Sequence, residues 1–537
     1  MPQIEPEAAE AQPLAAPAIA RAATIIALGN IASRVLGLAR ETVIADLFAA
    51  TGLVSAFDVA SRLPRMLFDL LVDGLVSSAL VPVFSELAER DRDELWRIAS
   101  IMLSLATLVM AIATLLLELL ASPIAWLMAG GFEPDLLAYT AWLMRITTPA
   151  VIFLSLSGIL TGLLYALKHF TLPALTAAVF NASIVVVALV LTGWLGWGVE
   201  SLALGLLIGA AAQVAIQLPG LRGARLRFNL DWDHPELRRI ARLYAPVVLG
   251  LVVSQVGIVI DRNLASRTGE QSIAWMRYAT TLVQFPLGLV SVAISMAILP
   301  TLSRLASTSQ PAILDEFMHT LATGLKMVLV LILPAVVGLF ALSEPVVALV
   351  FQHGAFTSFD TQQTALALRI YLLGTTFAAI DLPMVYAFYA RKNTLTPAVV
   401  GVLGVGLYLA AALVPTFLRA LRMADLVLAN SIQLTGHALV MLWLVGRIGS
   451  LRGRGLERTA LKSLAASLAM GALTFASAQW LLERFPGQAL LSEVMVVGGA
   501  GCVGLVVYGA LVKWLRIEEV NLFTTLLRRR LGKIGGR

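Results

Sequence analysis

Charge is what this sequence is short of. Only 13% of its 537 residues are Asp, Glu, Lys or Arg, against roughly 25% in a soluble domain. Cysteine is nearly absent as well: Cys502 stands alone, which excludes an internal disulfide. The histidines have no metal-ligand spacing, and there is no Walker A sequence and no nucleophile elbow. Nucleotide hydrolysis and acyl transfer therefore lack their motifs, and no cofactor or metal is expected. An enzyme should carry a catalytic acid cluster on an extended loop, and the loops here are short and basic. The pI of about 9.6 does not point to nucleic acid, because the Lys and Arg residues lie in short loops with no binding module between them. A secretory signal is also missing, since residues 1–20 are rich in Ala, Pro and Glu and have no basic n-region. That stretch reads as a disordered cytoplasmic tail.

What fills the space is hydrophobic. Such residues make up 59% of the chain, and the mean hydropathy is +0.86. A bilayer-spanning helix takes roughly 20 residues, and apolar segments of that length recur throughout. The expected helices are 23–48, 53–88, 96–121, 134–167, 172–193, 199–220, 236–266, 271–305, 313–342, 359–390, 396–417, 424–447, 460–482 and 490–514. This predicts an all-α integral membrane protein with about fourteen transmembrane helices, the second and eighth bent at Pro64 and Pro286. Basic residues collect in the loops after the even helices: Arg90, Arg92 and Arg97; Lys168; Arg222, Arg225 and Arg227; Arg391 and Lys392; Arg452 and Arg454. The opposite loops are poorer in cations, so the even loops and both termini are placed in the cytoplasm.

The chain also repeats. YALKHFTLPA at 165–174 resembles YARKNTLTPA at 389–398, 389 − 165 = 224 residues on. VPVFSEL at 81–87 resembles LPTLSRL at 299–305, with Pro82 and Pro300 separated by 218. Both offsets equal six helices, an even number, so the halves share one orientation. This is a parallel repeat about an axis along the membrane normal, a common transporter plan. The expected limits are a tail at 1–20, a first lobe of helices 1–6 at 21–221, a second of helices 7–12 at 236–447, two further helices at 459–515 and a basic cytoplasmic tail at 516–537.

The few charges inside the apolar segments carry the functional signal. In the first helix, turned at about 100° per residue, Asn30, Ser33, Arg34, Gly37, Arg40 and Glu41 fall within an arc of roughly 120°. One such charge facing lipid costs ~2.5–3.5 kcal/mol or more. The face must look into protein or a water-filled cavity, and two arginines there read as an anion site. Helix 2 begins with Asp58, Arg62, Arg65, Asp69 and Asp73 at three- and four-residue steps. Helix 7 gives Ser254, Gln255, Asp261 and Arg262, and helix 8 gives Arg277 and Gln284. The substrate-binding candidates are Ser33, Arg34, Arg40, Glu41, Asp58, Arg62, Arg65 and Arg277; Asp261 and Ser254 are candidates for a cation site. The competing reading is that these charges pair with one another and only fix helix packing. It is favoured for Asp261 with Arg262 and for Asp69 and Asp73. Asp381 is open to three roles: a cation site, a proton carrier or a hydrogen-bonded helix contact.

SRVLGLARE (33–41), LVDGLVSSALVPVFSEL (71–87), QFPLGLVSVAISMAILPTLSRLA (284–306), LPAVVGLFALSEPVVALVFQHGAFTSFDT (333–361) and AFYARKNTLTP (387–397) resemble, in order, the MurJ (also called MviN) family of lipid II flippases. That family lies within the multidrug/oligosaccharidyl-lipid/polysaccharide exporter superfamily. The resemblance implies two six-helix lobes and a last helix pair forming a groove for the lipid tail. It implies export of undecaprenyl-linked peptidoglycan precursor across the bacterial plasma membrane by alternating access, with membrane lipids and the cell-wall synthesis machinery as partners. The family's two helix-1 arginines match Arg34 and Arg40, and its adjacent acid matches Glu41. Its helix-2 arginine falls at Phe68, its helix-8 arginine at Thr281 and its helix-2 acid at Ser55; Arg65, Arg277 and Asp58 stand nearby. The alternatives within the superfamily are a capsule or O-antigen lipid flippase and an ion-coupled drug exporter. The expected topology places a reporter fused at Gly354 outside the cytoplasm; a cytoplasmic signal from that fusion contradicts it.

Overall fold

Leu, Ile, Val and Ala runs separated by short polar turns produce helices and nothing else that is regular among the described residues. In the computed structural model these are residues 16–306, 310–485, 490–517 and 519, without the side chains of 16–23, 71, 73, 77–78, 245–250 and 253–254. The helices are α1 (Ala16–Phe48), α2 (Gly52–Phe68), α3 (Val81–Arg90), α4 (Arg92–Leu119), α5 (Ala121–Ala129), α6 (Pro134–Thr147), α7 (Ala150–Ala166), α8 (Thr171–Leu195), α9 (Glu200–Gln217), α10 (Pro235–Ser266), α11 (Ser272–Pro286), α12 (Val292–Leu305), α13 (Pro311–Ala341), α14 (Ser343–Phe351), α15 (Ser358–Ala390), α16 (Leu395–Leu413), α17 (Met423–Ile448), α18 (Leu456–Arg484) and α19 (Leu490–Trp514). Among the described residues, ten helices are long and apolar enough to cross a membrane; α6 and α7, bent by 41°, make an eleventh if they form one span. The spans expected at 23–48, 53–88 and 236–266 are helical too, but are not among the ten. Most of the expected tails at 1–20 and 516–537 lies outside the described residues.

The repeat read from the sequence reappears in the backbone. Wide π turns at 69–73 and 76–80 join α2 to α3, and one at 287–291 joins α11 to α12. The first and last of these are 287 − 69 = 218 residues apart, the Pro82–Pro300 spacing. Lys168 and Lys392 adopt left-handed backbone, φ +63° and +58°, 392 − 168 = 224 residues apart. Two non-glycine residues in that sparsely populated region, at equivalent turns, follow from one loop design used twice.

Packing divides the chain into two compact units. The first holds the residues up to Arg40, 60–121 and 141–252. In it α7 packs on α4 and α9, and α8 on α9, around Leu80, Phe84, Leu95, Ile98 and Leu163. The second holds 41–59, 122–140 and the residues from Val253 onward. There α17 packs on α15 and α16, and α13 carries α18, which carries α19. Leu302, Phe317, Leu321, Met384 and Met441 fill its core. Segments 41–59 and 122–140 join the second unit through polar contacts. Tyr278 OH donates to Ala49 O at 3.0 Å, Ala355 N to Asp46 O at 2.8 Å, and Gly131 N to Ser266 Oγ at 3.0 Å. Gly374 is required where α15 meets α17, since a Cβ there would lie 2.7 Å from Ser431 Cα.

Three of the prolines inside helices, Pro64, Pro334 and Pro383, create a further need. Each lacks an N–H and leaves the carbonyl four residues back without its helical donor, a serious cost in hydrocarbon. A hydroxyl from another helix meets each one. Below Pro64, Ala60 O accepts from Thr147 Oγ1 at 3.2 Å; below Pro383, Ala379 O accepts from Ser291 Oγ at 2.6 Å; below Pro334, Val330 O accepts from Tyr508 OH at 2.6 Å. The last of these ties α19 to α13. Tyr508→Phe is therefore expected to lower stability by about 1 kcal/mol, read as a lower melting temperature in detergent. Cys502→Ser, at an exposed position of the same helix, is expected to change little.

Candidate functional site

The polar face of α1 is built as the sequence suggests, and each unit takes part of it. In the first unit, Ser33, Arg34 and Arg40 are half-buried. Asn181 of α8, buried in an otherwise apolar helix, turns its side chain onto that face. Its Nδ2 donates to Ser33 O at 3.1 Å, and its Oδ1 accepts from Arg40 Nη1 at 2.9 Å. Gly37 lies beside it, a Cβ there falling 3.6 Å from Asn181 Nδ2. The amide orients the Arg40 guanidinium, a planar fork of donors. Arg62 is half-buried and Arg65, in the last turn of α2, is exposed.

In the second unit the remaining charges meet one another. Arg277 of α11 donates through Nη2 to Glu41 Oε1 at 2.9 Å, and its Nε lies 2.8 Å from Glu41 Oε2 and 3.6 Å from Asp58 Oδ1. Arg262 Nη2 lies 3.5 Å from Asp58 Oδ2. All four side chains are buried, with at most 8% of any residue exposed. The Phe57 ring stands 5.5 Å below the Arg277 guanidinium. Two cations and two anions make a neutral group. Burying it is costly unless the pairing is close, and removing one partner typically costs ~3–5 kcal/mol. The sequence reading grouped Arg277, Asp58 and Glu41 with the substrate ligands; the structure makes them one another's counter-ions within the second unit.

The positions at which the resemblance noted in the sequence leaves a charge missing have local roles. Phe68 lies against the Gly158 position of α7. The Thr281 hydroxyl donates to the Arg277 carbonyl at 3.0 Å, and Ser55 Oγ accepts from Ala274 N at 3.2 Å. Asp261 accepts a hydrogen bond from Tyr408 OH at 2.6 Å; the side chain of Ser254 lies outside the described residues. Among the described residues no three His, Cys, Asp or Glu side chains converge as metal ligands. The sequence reading missed Asn181 as a site residue. Its signal was present, a lone amide amid TLPALTAAVFNASIVVVALVL, but nothing in the sequence says which helix it faces.

Comparison with known proteins agrees with this architecture. The family model described as "Lipid II flippase MurJ" matches residues 44–495. The lipid II flippase MurJ of Burkholderia cenocepacia is 29% identical over 377 residues, covering 68% of this chain and 72% of the relative. The probable lipid II flippase MurJ of Vibrio cholerae is 31% identical over 395 residues, covering 71% and 74%. A solved structure, "Lipid II flippase MurJ, inward closed conformation", superposes with a TM-score of 0.75 at 24% identity, over 95% of this chain and 99% of that one. With the family model spanning most of its length, this chain belongs to the MurJ family.

Proposed function

We propose that this multi-pass membrane protein is a lipid II flippase that carries its diphosphate-linked substrate on the cations of α1. The observation that carries the reading is the face of α1 that gathers Ser33, Arg34 and Arg40, with Asn181 of α8 turned onto it, its Nδ2 donating to Ser33 O and its Oδ1 accepting from Arg40 Nη1. The planar donor forks of Arg34 and Arg40 suit the diphosphate oxygens, as bidentate guanidinium–phosphate contacts do generally. Arg62 and Arg65, in the last two turns of α2, add positive charge. The Arg277–Glu41–Asp58–Arg262 group is neutral, and holds α1, α2, α10 and α11 together within its unit.

The precursor enters from the cytoplasmic leaflet, its headgroup in the cationic cavity and its undecaprenyl tail in the bilayer beside helices 13 and 14. Rearrangement of the two lobes then presents the headgroup outside. Both termini lie in the cytoplasm, and the fourteen helical runs each span the membrane. Outward movement of an anion gains ~2.3 kcal/mol per charge for each 100 mV of inside-negative potential.

Two outcomes test this division of labour. Arg34→Ala and Arg40→Ala are expected to abolish complementation of a strain depleted of its own lipid II flippase, and to stop precursor reaching the outer face, while leaving the melting temperature near that of the parent. Undiminished precursor exposure removes the anion site. Arg277→Gln is expected to destabilise the protein by ~3–5 kcal/mol. Pairing it with Glu41→Gln restores part of that loss, which a double-mutant cycle on thermal stability measures.

A further inference from the structure

Well inside α15 and α17, Asp381 Oδ2 lies 3.0 Å from His437 Nδ1. Asp381 is 390 − 381 = 9 residues from the end of its helix and His437 is 448 − 437 = 11 from the end of its own, or ~13 and ~16 Å at 1.5 Å per residue. Their side chains are 19% and 17% exposed. The second carboxylate oxygen, Asp381 Oδ1, is buried and accepts no hydrogen bond among the described residues. Ionisable side chains at this depth are costly and are retained for function more often than for packing.

Leu302, Leu325, Met384, Val400 and Met441 form the adjoining apolar core. On its own helix Asp381 is followed by Tyr386 and Tyr389, whose rings stack on each other at 6.1 Å. The elements packed against α15 and α17 carry further charged and titratable groups, among them Arg304 of α12, Asp315 of α13 paired with Arg454, and Glu316 and His319 of α13. Lys326 of α13 pairs with Glu519, Glu344 of α14 with Arg369, and Arg277 of α11 with Glu41; Arg447 of α17 lies over Trp443. On α16, Tyr408 is bonded to Asp261, and one turn away Gly404 lies against Gln433 and His437.

The pair also sits at a weak point of the fold. Pro383 follows Asp381 by two residues, and the carbonyl it frees, Ala379 O, is held by Ser291 at the end of the 287–291 π turn. A change in charge on the pair therefore acts where α15 lacks a helical bond and where the α11–α12 run is locally widened into a π turn.

We propose that Asp381 and His437 form a proton-binding site that couples lipid export to inward proton movement, an inference that rests on the flippase reading above. A proton arriving from the outer side adds to the imidazole, giving an imidazolium–carboxylate pair of zero net charge. Its release to the cytoplasm returns a neutral imidazole beside a carboxylate, net −1, which a dry helix interface tolerates poorly. Imidazole is the side chain whose charge changes in this way near neutral pH. One proton moves inward for each headgroup moved outward, and the proton gradient is the only co-reactant.

The full chain is reconstituted in liposomes with purified lipid II, and transport is followed under a pH gradient at zero voltage, a K⁺/valinomycin voltage at equal pH, and an Na⁺ gradient with neither. Wild-type transport is expected to respond to the pH gradient by several-fold, at most about tenfold per pH unit for one proton. Asp381→Asn and His437→Gln are expected to lose that response while keeping the voltage response and the parent melting temperature. A wild type driven by voltage or Na⁺ but indifferent to the pH gradient overturns the proposal, as do variants that still respond to it. If wild type moves no lipid II under any gradient, the flippase reading itself fails. The site is then judged without substrate, by nuclear magnetic resonance of isotope-labelled histidine in the detergent-solubilised chain. The signal assigned to His437 by its loss in His437→Gln is expected to follow bath pH in wild type and to behave differently in Asp381→Asn. A signal unmoved between about pH 5 and 8 also overturns the proposal.

Discussion

A charge or a bare carbonyl placed in hydrocarbon has no water to turn to, and every polar group inside these helices has to be met by another part of the protein. The Arg277–Glu41 pair, at 2.8 Å and buried on both sides, is the strictest case. Its acid sits two turns from the end of α1 and its base in the first half of α11, so the match fixes two helices far apart in sequence. Asp58 and Arg262 extend the match to α2 and α10. The same constraint explains the hydroxyls of Thr147, Ser291 and Tyr508 opposite three proline-freed carbonyls. It also explains why segments 41–59 and 122–140 belong to the second unit.

Within that constraint the chain handles its cations in two ways. Arg262 and Arg277 are set against carboxylates and contribute to packing. Arg40 also donates to an amide, that of Asn181 of α8, which fixes its direction.

The internal repeat shows how one design is adapted. The π turns at 69–73 and 287–291 and the left-handed lysines at 168 and 392 occupy equivalent places in both halves. Polar residues do not follow the repeat so closely. Helix 10 carries Asp381 opposite His437, with a freed carbonyl two residues before the acid, whereas its counterpart α7 reads AVIFLSLSGILTGLLYA and has no charged residue. A shared backbone plan thus serves two halves with different chemistry.

The sequence alone determined the class of molecule: hydrophobic length and a scarcity of charge leave a polytopic helical protein as the outcome, because a helix is the segment that satisfies its own backbone in lipid. It also determined the repeat and the face of α1 that gathers Ser33, Arg34, Arg40 and Glu41, since both depend on spacing along the chain. The partner of each charge was decided only by tertiary structure. Arg40 and Glu41 are adjacent and share a face, yet one meets Asn181 of α8 and the other Arg277 of α11. Helical periodicity gives the direction in which a side chain points; what stands opposite is set by the packing of helices well over a hundred residues away, which the local pattern does not encode.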